Sequence, residues 1–367
     1  MKSTLSSRRT RLGAGIALAG AAVVVLSGCA GSSEPAADGS AGSFEGQELV
    51  VSVWGGTYQE AVAQAAGPAF EEATGAKLVF DTGSGPDRLN KIVSSVGAET
   101  DDVMLNSAEF TIAAQDAGAL APLEGDSLSN YADTADWAKP FDFGVAFGVY
   151  ALGIAYDPTV VTTPPTSWND LWNPEFAGKL ALPAVTHSAM PALLVTAAEL
   201  NGGSIDDIQP GIDALAELKP AKTSFFWTDW APLAQSGEVV AAAEFDLYAS
   251  TMERSGDYDI AFAYPEEGAI ASLAVASVVD TGNDTKEALA REFIDILLAA
   301  DTQEQIAELM YQSPANVTAV IPDDVADVVL TADEMQQKAR FFDDAALAAK
   351  RAEWTQLLNT EVLPKWE

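Results

Sequence analysis

The chain has 367 residues, of which 48% are hydrophobic and 20% are charged. This composition excludes disorder over most of the chain, and the length predicts two lobes or domains. The formal net charge is −35, from 54 acidic and 19 basic residues. Such a surface repels phosphate backbones at long range, so nucleic acid is excluded as a partner. A polytopic membrane protein is also excluded, because no run of about 20 apolar residues lies beyond the N-terminal segment.

The N-terminal segment has the three parts of an export signal. A basic stretch precedes an uncharged apolar run over residues 12–27, and Gly28 then precedes Cys29. This order predicts a signal peptide over residues 1–28. The segment LSGC at 26–29 resembles the lipobox of bacterial lipoproteins, which implies that Cys29 is lipidated and anchors the protein to the outer face of the cell membrane. A plain signal peptide and a signal anchor are the alternatives.

Cys29 is the only cysteine in the chain. Disulfide bonds within the chain, thiolate zinc sites and cysteine nucleophiles are therefore excluded. Residues 30–47 are mostly Ser, Gly, Ala and Pro with a few acids, a composition that cannot bury a core. We expect residues 29–47 to form a lipidated cysteine and a flexible tether, which would let a globular body work at a membrane surface.

The body begins with alternating strands and helices. Ser84 is predicted to cap a helix that Pro86 opens, and Gly75 and Gly118 are predicted to end the helices on either side. Three such units predict a parallel sheet covered by helices, and ligands bind such sheets at the carboxyl ends of the strands. The predicted strands are 48–54, 77–81 and 102–106, and the predicted helices are 58–73, from 86 onward, and 108–117.

The second half of the body continues this alternation. Its most prominent strand signal is a long apolar run at 143–156, between two sets of strand and helix units. The other predicted strands are 180–182, 239–243, 260–263 and 272–279, and the predicted helices are 188–200, 206–218, 285–300, 302–310 and 345–358.

Several segments together resemble a known family. The most specific block is SWNDLW at 167–172, followed by Gly178-Lys179. It is accompanied by Trp54-Gly55-Gly56 after the first strand, YPEEG at 264–268 and SPAN at 313–316. In order and spacing these segments resemble the substrate-binding lipoproteins of polyamine- and opine-type ABC importers, the spermidine/putrescine-binding branch of the type II periplasmic binding proteins.

This resemblance implies an α/β fold of two lobes, each a mixed sheet flanked by helices, joined by a hinge of crossing strands. Residues 48–146 and 272–310 would form the first lobe, and residues 147–271 and 311–367 the second. The solute would bind between the lobes, which close on it. The partners would be an ABC permease and, through it, ATPase subunits. The family implies a monomer without a cofactor.

The candidate ligand residues of the first lobe follow its predicted strands. Trp54 and Tyr58 flank two glycines; aromatic faces attract ammonium groups, and glycine lets backbone approach a ligand. Ser107 and Glu109 lie in a loop where the family contacts its solute, and Phe147 takes a family tryptophan position. The alternatives are lobe packing for Trp54, helix-dipole stabilisation for Glu109 and core packing for Phe147. The full set is Trp54, Gly55, Gly56, Thr57, Tyr58, Ser84, Ser107, Glu109 and Phe147.

The candidates of the second lobe are Trp227 and Asp229, which precede a helix, and Glu244 and Asp246, which end a strand of small residues. The resemblance implies that Asp246 stands on the cleft wall and supplies a carboxylate to the ligand. The alternatives are a helix cap for Asp229 and a turn residue for Asp246. His187, the only histidine, is expected to be a solvated loop residue rather than a ligand contact.

Two departures from the family weigh against spermidine. Polyamine binders place acids in the loop where this chain has Thr186 and Ala189. They place another acid and an aromatic residue where this chain has Ala274 and Ser272.

The charges of the candidate segments favour an amine. Arginine is scarce near them, Arg88 and Arg254 being the nearest in sequence, whereas a carboxylate or phosphate ligand would favour an arginine fork. Glu109, Glu244 and Asp246 favour a putrescine-like or other amino compound. The alternatives are a sugar, an opine or ferric ion on the same fold, or a ligand sensor without transport. An enzyme is not expected, since no GxSxG, P-loop or HExxH motif occurs.

Overall fold

The protein is described by a computed structural model that covers residues 44–98, 100–224 and 227–366, with only the backbone described for Trp227. The expected signal peptide and the expected lipidated cysteine lie outside the described residues. No helix in these ranges is long and apolar enough to cross a membrane.

Strands and helices alternate along the described chain, as the apolar periodicity predicts. The strands are β1 (Glu48–Val53), β2 (Lys77–Thr82), β3 (Val103–Ser107), β4 (Val145–Tyr156), β5 (Leu180–Pro183), β6 (Pro220–Ser224), β7 (Ala241–Phe245), β8 (Ala261–Ala263), β9 (Ala269–Val278), β10 (Ser313–Pro314) and β11 (Ala339–Arg340). The helices are α1 (Thr57–Thr74), α2 (Gly85–Ser94), α3 (Ala108–Asp116), α4 (Met190–Leu200), α5 (Gln209–Glu217), α6 (Ala231–Ser236), α7 (Asp246–Ser255), α8 (Asp284–Leu298), α9 (Ala300–Met310), α10 (Ala332–Lys338), α11 (Asp344–Leu357) and α12 (Leu363–Trp366).

Two parallel sets of strands are joined by two long antiparallel strands. The main strand order is β2-β1-β3-β9-β4-β7-β5-β6. In the first set β1 pairs in parallel with β2 and β3, and in the second β5 pairs in parallel with β6 and β7. Strand β9 runs antiparallel to β3 and to β4, and β4 runs antiparallel to β7. This is the predicted arrangement of two mixed sheets joined through crossing strands.

Strand β4 belongs to both halves. It pairs with β9 from Val145 to Leu152, and with β7 from Leu152 to Tyr156. All twelve of its residues are buried, as expected for a strand with neighbours on both edges and packed elements on both faces. Its long apolar run is therefore the sequence signature of a strand that crosses between lobes.

Helices complete each half. Helices α8 and α9 pack on α1, and α12 packs on α5. Helix α11 is different because it contacts both α3 and α4. The C-terminal region therefore lies against elements from both sets of strands and contributes to the region between them.

Two elements beside the site differ from the predictions. Strand β7 ends at Phe245, two residues beyond the predicted 239–243, and α7 begins at once with Asp246. The helical spacing of α7 escaped prediction because its first turn continues the strand without a loop. Strand β6 was also missed, since Pro220–Ser224 carries polar residues with no apolar alternation.

Candidate functional site

The carboxyl ends of strands from both parallel sets meet at one pocket, which we call the cleft pocket. It has about 630 Å³ of empty space, part of it open to solvent. Residues at and just after the ends of β1, β2 and β3 form one wall, residues at and just after the ends of β5 and β7 form the other, and β4 supplies the floor. This is where α/β sheets bind ligands. Its lining residues are Trp54, Tyr58, Ser84, Gly85, Pro86, Ser107, Phe110, Tyr150, His187, Ser188, Phe245 and Tyr248.

Trp54 and Tyr58 form the first aromatic corner of the cleft pocket, as predicted from their position after β1. Their ring centroids are 4.6 Å apart. The Tyr58 hydroxyl donates a 2.7 Å hydrogen bond to Gln312, and burial raises the pKa of Tyr58 well above its ordinary value. The guanidinium of Arg88 lies 4.9 Å from the Trp54 ring centroid. Trp54 thus already contacts one cation of the protein, the Arg88 guanidinium.

The glycines after Trp54 shape the start of α1. Gly56 has φ 70° and is the residue before the helix, a backbone conformation that favours glycine. Gly55, Gly56 and Thr57 are exposed and do not line the cleft pocket. The structure therefore brings Trp54 and Tyr58 into the pocket and leaves the three residues between them at its rim.

The loops after β2 and β3 approach the pocket closely. Ser84 caps α2, its hydroxyl accepting a hydrogen bond from the Asp87 backbone N–H, as predicted. Gly85 was not predicted, yet a side chain there would come within 2.7 Å of the Phe110 ring. Ser107, predicted from its place after β3, is buried and lines the pocket. A glycine is therefore needed at the start of α2, where the backbone contacts the Phe110 ring.

The second wall is aromatic. The rings of Tyr150 and Phe245 meet edge to face at 4.8 Å, and Tyr248 follows Phe245 at 6.4 Å. Burial raises the pKa of Tyr150 to about 12, so its hydroxyl remains a hydrogen-bond donor at neutral pH. His187 is half-buried and lines the pocket. The expectation that His187 is a solvated loop residue is wrong, because the loop after β5 turns inward here.

Glu109 lies beside the cleft pocket in a second pocket, which we call the carboxylate pocket. This pocket has about 460 Å³ of empty space and also contains Asp344 at the start of α11. Arg351, from the same helix, pairs with Glu109 and donates to the Thr186 carbonyl. Burial raises the pKa of Glu109 to about 7, although Arg351 acts to lower it. Glu109, predicted as a cleft residue, therefore lines a neighbouring pocket and not the cleft pocket itself.

The two acids at the end of β7 do not line either pocket. Asp246 is buried; one carboxylate oxygen accepts from the backbone N–H groups of Ala151 and Leu247, and the other from the Tyr264 hydroxyl. Burial raises the pKa of Asp246 to about 6 despite these bonds. Asp246 was expected to supply a carboxylate to the ligand. In the structure its carboxylate instead links the start of α7 to strand β4 through hydrogen bonds.

Glu244 is likewise enclosed. It accepts 2.7 Å and 2.8 Å hydrogen bonds from the Trp230 indole and the Phe245 backbone N–H, and burial raises its pKa to about 7. The alternation of side chains along β7 explains the Glu244 correction, because Glu244 and Phe245 are successive strand residues and point to opposite faces. Asp246 is the first residue of α7, and its carboxylate is taken up by the bonds just described.

Three other candidates lie elsewhere. Phe147 is 1% exposed and packs in the main hydrophobic core, so the structure supports the packing alternative. Asp229 is exposed and lines neither pocket. The side chain of Trp227 lies outside the described residues.

Comparison with known proteins agrees with this geometry. Residues 98–341 match the family of bacterial extracellular solute-binding proteins. The gamma-aminobutyric acid-binding protein of Pseudomonas aeruginosa is 27% identical over 323 residues, which cover 83% of this chain and 88% of that protein. The spermidine/putrescine-binding periplasmic protein of Escherichia coli is 24% identical over 265 residues, 68% of this chain and 73% of that protein.

A solved structure gives the same result for the fold. The crystal structure of an ABC transporter protein from Clostridium perfringens is 25% identical, with a TM-score of 0.73, and the match covers 86% of this chain and 99% of that one. The family match covers more than half of the chain, and the resemblance inferred from the sequence motifs is confirmed. The chain therefore belongs to the bacterial extracellular solute-binding protein family and has the two-lobed α/β fold of these proteins.

Proposed function

We propose that the protein captures a small amine-bearing solute between its two lobes and delivers it to the permease of an ABC importer. The observation that carries this proposal is the cleft pocket, whose walls come from both sets of parallel strands. A solute that contacts both walls stabilises the closed arrangement and shifts the population toward it. The closed form would then dock on the permease, and ATPase subunits would power import.

The chemistry of the cleft pocket favours an amine on an aliphatic chain. Six Trp, Tyr and Phe side chains line it, together with hydroxyls from serine and tyrosine. Aromatic faces stack on methylene groups and attract ammonium groups. The relatives from Pseudomonas aeruginosa and Escherichia coli are named for gamma-aminobutyric acid and for spermidine and putrescine, all of which carry amines.

The lobe boundaries and the anchor are parts of the same proposal. We assign residues 48–146 and 272–310 to the first lobe and residues 147–271 and 311–367 to the second. The packing of α8 and α9 on α1, and of α12 on α5, supports this division. The lipobox-like segment supports lipidation at Cys29, with the tether joining the anchor to a monomeric body. We propose binding without catalysis, because the relatives are binding proteins.

A thermal-shift screen of the soluble body, residues 30–367, tests the solute class. The panel holds 4-aminobutyrate, putrescine, spermidine, an opine, glucose and ferric citrate. A solute at 100 times its dissociation constant should stabilise the folded state by about 2.7 kcal/mol. We expect the largest shift from 4-aminobutyrate or putrescine. A shift only with glucose, the opine or ferric ion would contradict the amine proposal.

A matched pair of variants tests the location. Trp54→Leu removes an aromatic wall of the cleft pocket, and we expect it to weaken amine binding at least tenfold. Trp172→Leu is the control, since Trp172 is also half-buried but donates to the Ala214 carbonyl and lines neither pocket. Equal loss of affinity in the two variants would show that the solute binds elsewhere or that both changes damage the fold.

A further inference from the structure

The carboxylate pocket lies next to the cleft pocket, on the side of helix α11. The two pockets share Ser107 and Ser188 in their walls, so a solute that extends past these two serines would occupy both. The far wall of the carboxylate pocket is apolar where Leu347 and Phe342 line it. Against this apolar background stand the carboxyl groups of Glu109 and Asp344.

Glu109 has one oxygen with a partner and one without. The Glu109 side chain is only 10% exposed, and its Oε2 pairs with Arg351. Its Oε1 is buried and has no hydrogen-bond partner among the described residues. A buried oxygen of this kind costs free energy unless something else bonds to it. Because Glu109 lines the pocket, a bound donor there would meet this oxygen.

The charges of the carboxylate pocket do not balance. Two carboxyl groups, Glu109 and Asp344, face a single guanidinium, that of Arg351. The half-buried Asp344 side chain forms no hydrogen bond or ion pair within the described part of the chain. With both acids ionised, one negative charge is left uncompensated in a largely apolar pocket. Such a site favours a single cation over an anion or a neutral group.

A positive charge lies behind Trp54, on the first wall of the cleft pocket. Arg88 is 2% exposed, and its N–H groups are directed to oxygens of Gly83, Leu105 and Asn106. No carboxylate lies within ion-pair distance of it among the described residues. Since Arg88 also lies against Trp54, its positive charge disfavours an ammonium group beside Trp54 and leaves that ring to the methylene chain of a solute.

We propose that the carboxylate pocket is an ammonium subsite, in which Glu109 and Asp344 bind the terminal primary ammonium of a linear solute whose methylene chain crosses the aromatic cleft pocket. This inference rests on the proposed function and names the part of the solute that each pocket recognises. It adds Asp344, a residue from the C-terminal helix, to the binding site. Because α11 contacts both α3 and α4, binding there joins elements from both lobes.

The subsite also predicts that binding releases protons. Burial raises the pKa of both Glu109 and Asp344 to about 7, and an ammonium beside them favours their ionised forms. The other charged or titratable groups facing this pair are Arg351, Asp343 and Tyr150, with His187 in the adjoining wall. At pH 7 each of the two acids holds about half a proton, so we expect release of up to about one proton for each solute bound.

Calorimetric titration tests the subsite. The full soluble body is titrated with 4-aminobutyrate and with putrescine at pH 7, in two buffers of different ionisation enthalpy. We expect Asp344→Asn to weaken binding of the amine by about tenfold to a hundredfold and to reduce proton release. Asp343→Asn is the matched control, because Asp343 is exposed and asparagine retains its capping role. It should change affinity by less than about twofold.

The outcomes separate this inference from the proposed function. If wild type binds either amine and Asp344→Asn binds it equally well with equal proton release, the subsite is wrong and the function stands. If neither amine binds to wild type, the proposed solute class fails. Unfolding of Asp344→Asn without solute checks its fold, and Asp344→Glu, which restores the carboxylate, should recover at least part of the affinity and proton release. Failure of that recovery would overturn the subsite.

Discussion

Replacing Asp344 by asparagine should stabilise the unliganded protein at neutral and alkaline pH. Burial, and to a smaller extent Asp343, raises the pKa of Asp344 from 3.8 to about 7. The folded state therefore holds a proton that the unfolded state has lost over this range, so stability falls as pH rises from about 4 to about 7. Below this range the acid costs nothing, and above it the cost is complete.

The size of the effect follows from the same pKa difference. The rise from 3.8 to about 7 corresponds to about 4 kcal/mol at pH 8. Because Asp344 is only half-buried, water reduces this cost, and we expect about 2 to 4 kcal/mol. Asparagine has the shape of the acid and carries no charge. Its effect extends to Glu109, whose pKa is raised in part by the Asp344 charge.

Urea unfolding followed by tryptophan fluorescence between pH 4.5 and pH 8.5 measures this effect. The Asp344→Asn variant should be nearly equal to wild type at the acid end and more stable at pH 8. Asp343→Asn makes the same change at an exposed position and removes only the smaller cause of the Asp344 shift, so it should stay much closer to wild type than Asp344→Asn does. Unfolding free energies of wild type and Asp344→Asn that run parallel over the whole pH range would refute the account of a buried, uncompensated acid.

Three further predictions address the walls of the site. Asp246→Ala leaves buried donors such as the Ala151 N–H unpaired, and it should lower the unfolding free energy measured in urea by about 3 kcal/mol. Calorimetry should find its amine affinity within about threefold of wild type. A large loss of affinity in a stable variant would restore Asp246 as a ligand. Gly56→Ala should cost about 1 to 2 kcal/mol, because φ is 70° there, whereas Gly55→Ala should cost less, and equal costs would contradict this origin. The positive charge of Arg88 predicts that 4-aminobutyrate binds more tightly than putrescine in competition titrations; the reverse order would show that this charge does not act on the solute.

Local sequence signals were enough to predict the first wall of the cleft. The predicted strands 48–54 and 102–106 and the cap at Ser84 follow from apolar runs and turn residues close in sequence, and these two strands end within one residue of the observed ends of β1 and β3. The rule that ligands meet the carboxyl ends of parallel strands then predicts that Trp54, Ser84 and Ser107 converge. The structure brings all three into the wall of one pocket.

Prediction of the second wall of the cleft depended on knowing the exact end of strand β7. Glu244 and Asp246 were predicted because they end a strand of small residues, and Asp246 also from the family resemblance. The strand in fact ends at Phe245, and Phe245 is the residue that lines the cleft pocket. Missing α7 also meant missing Tyr248, which lies one turn further on. Glu244 and Asp246 were predicted to offer their charges to a ligand, but the fold buries both of them.

The part of the site from α11 was not predictable from local patterns. Asp344 and Arg351 lie more than 230 residues beyond Glu109 in the sequence, and Arg351 meets it only through tertiary packing. In a chain with 54 acidic residues, one more aspartate at a helix start is ordinary. Only its burial beside a second carboxyl group distinguishes Asp344.

The most direct test of the account is a crystal structure of the soluble body with the amine that gives the largest thermal shift. The account predicts that the solute lies between the two lobes, with its methylene chain against Trp54, Tyr150 and Phe245. Its ammonium group should lie within hydrogen-bond distance, about 3 Å, of Glu109 or Asp344. A solute bound outside the cleft, or one with its ammonium at the Trp54 end, would contradict it.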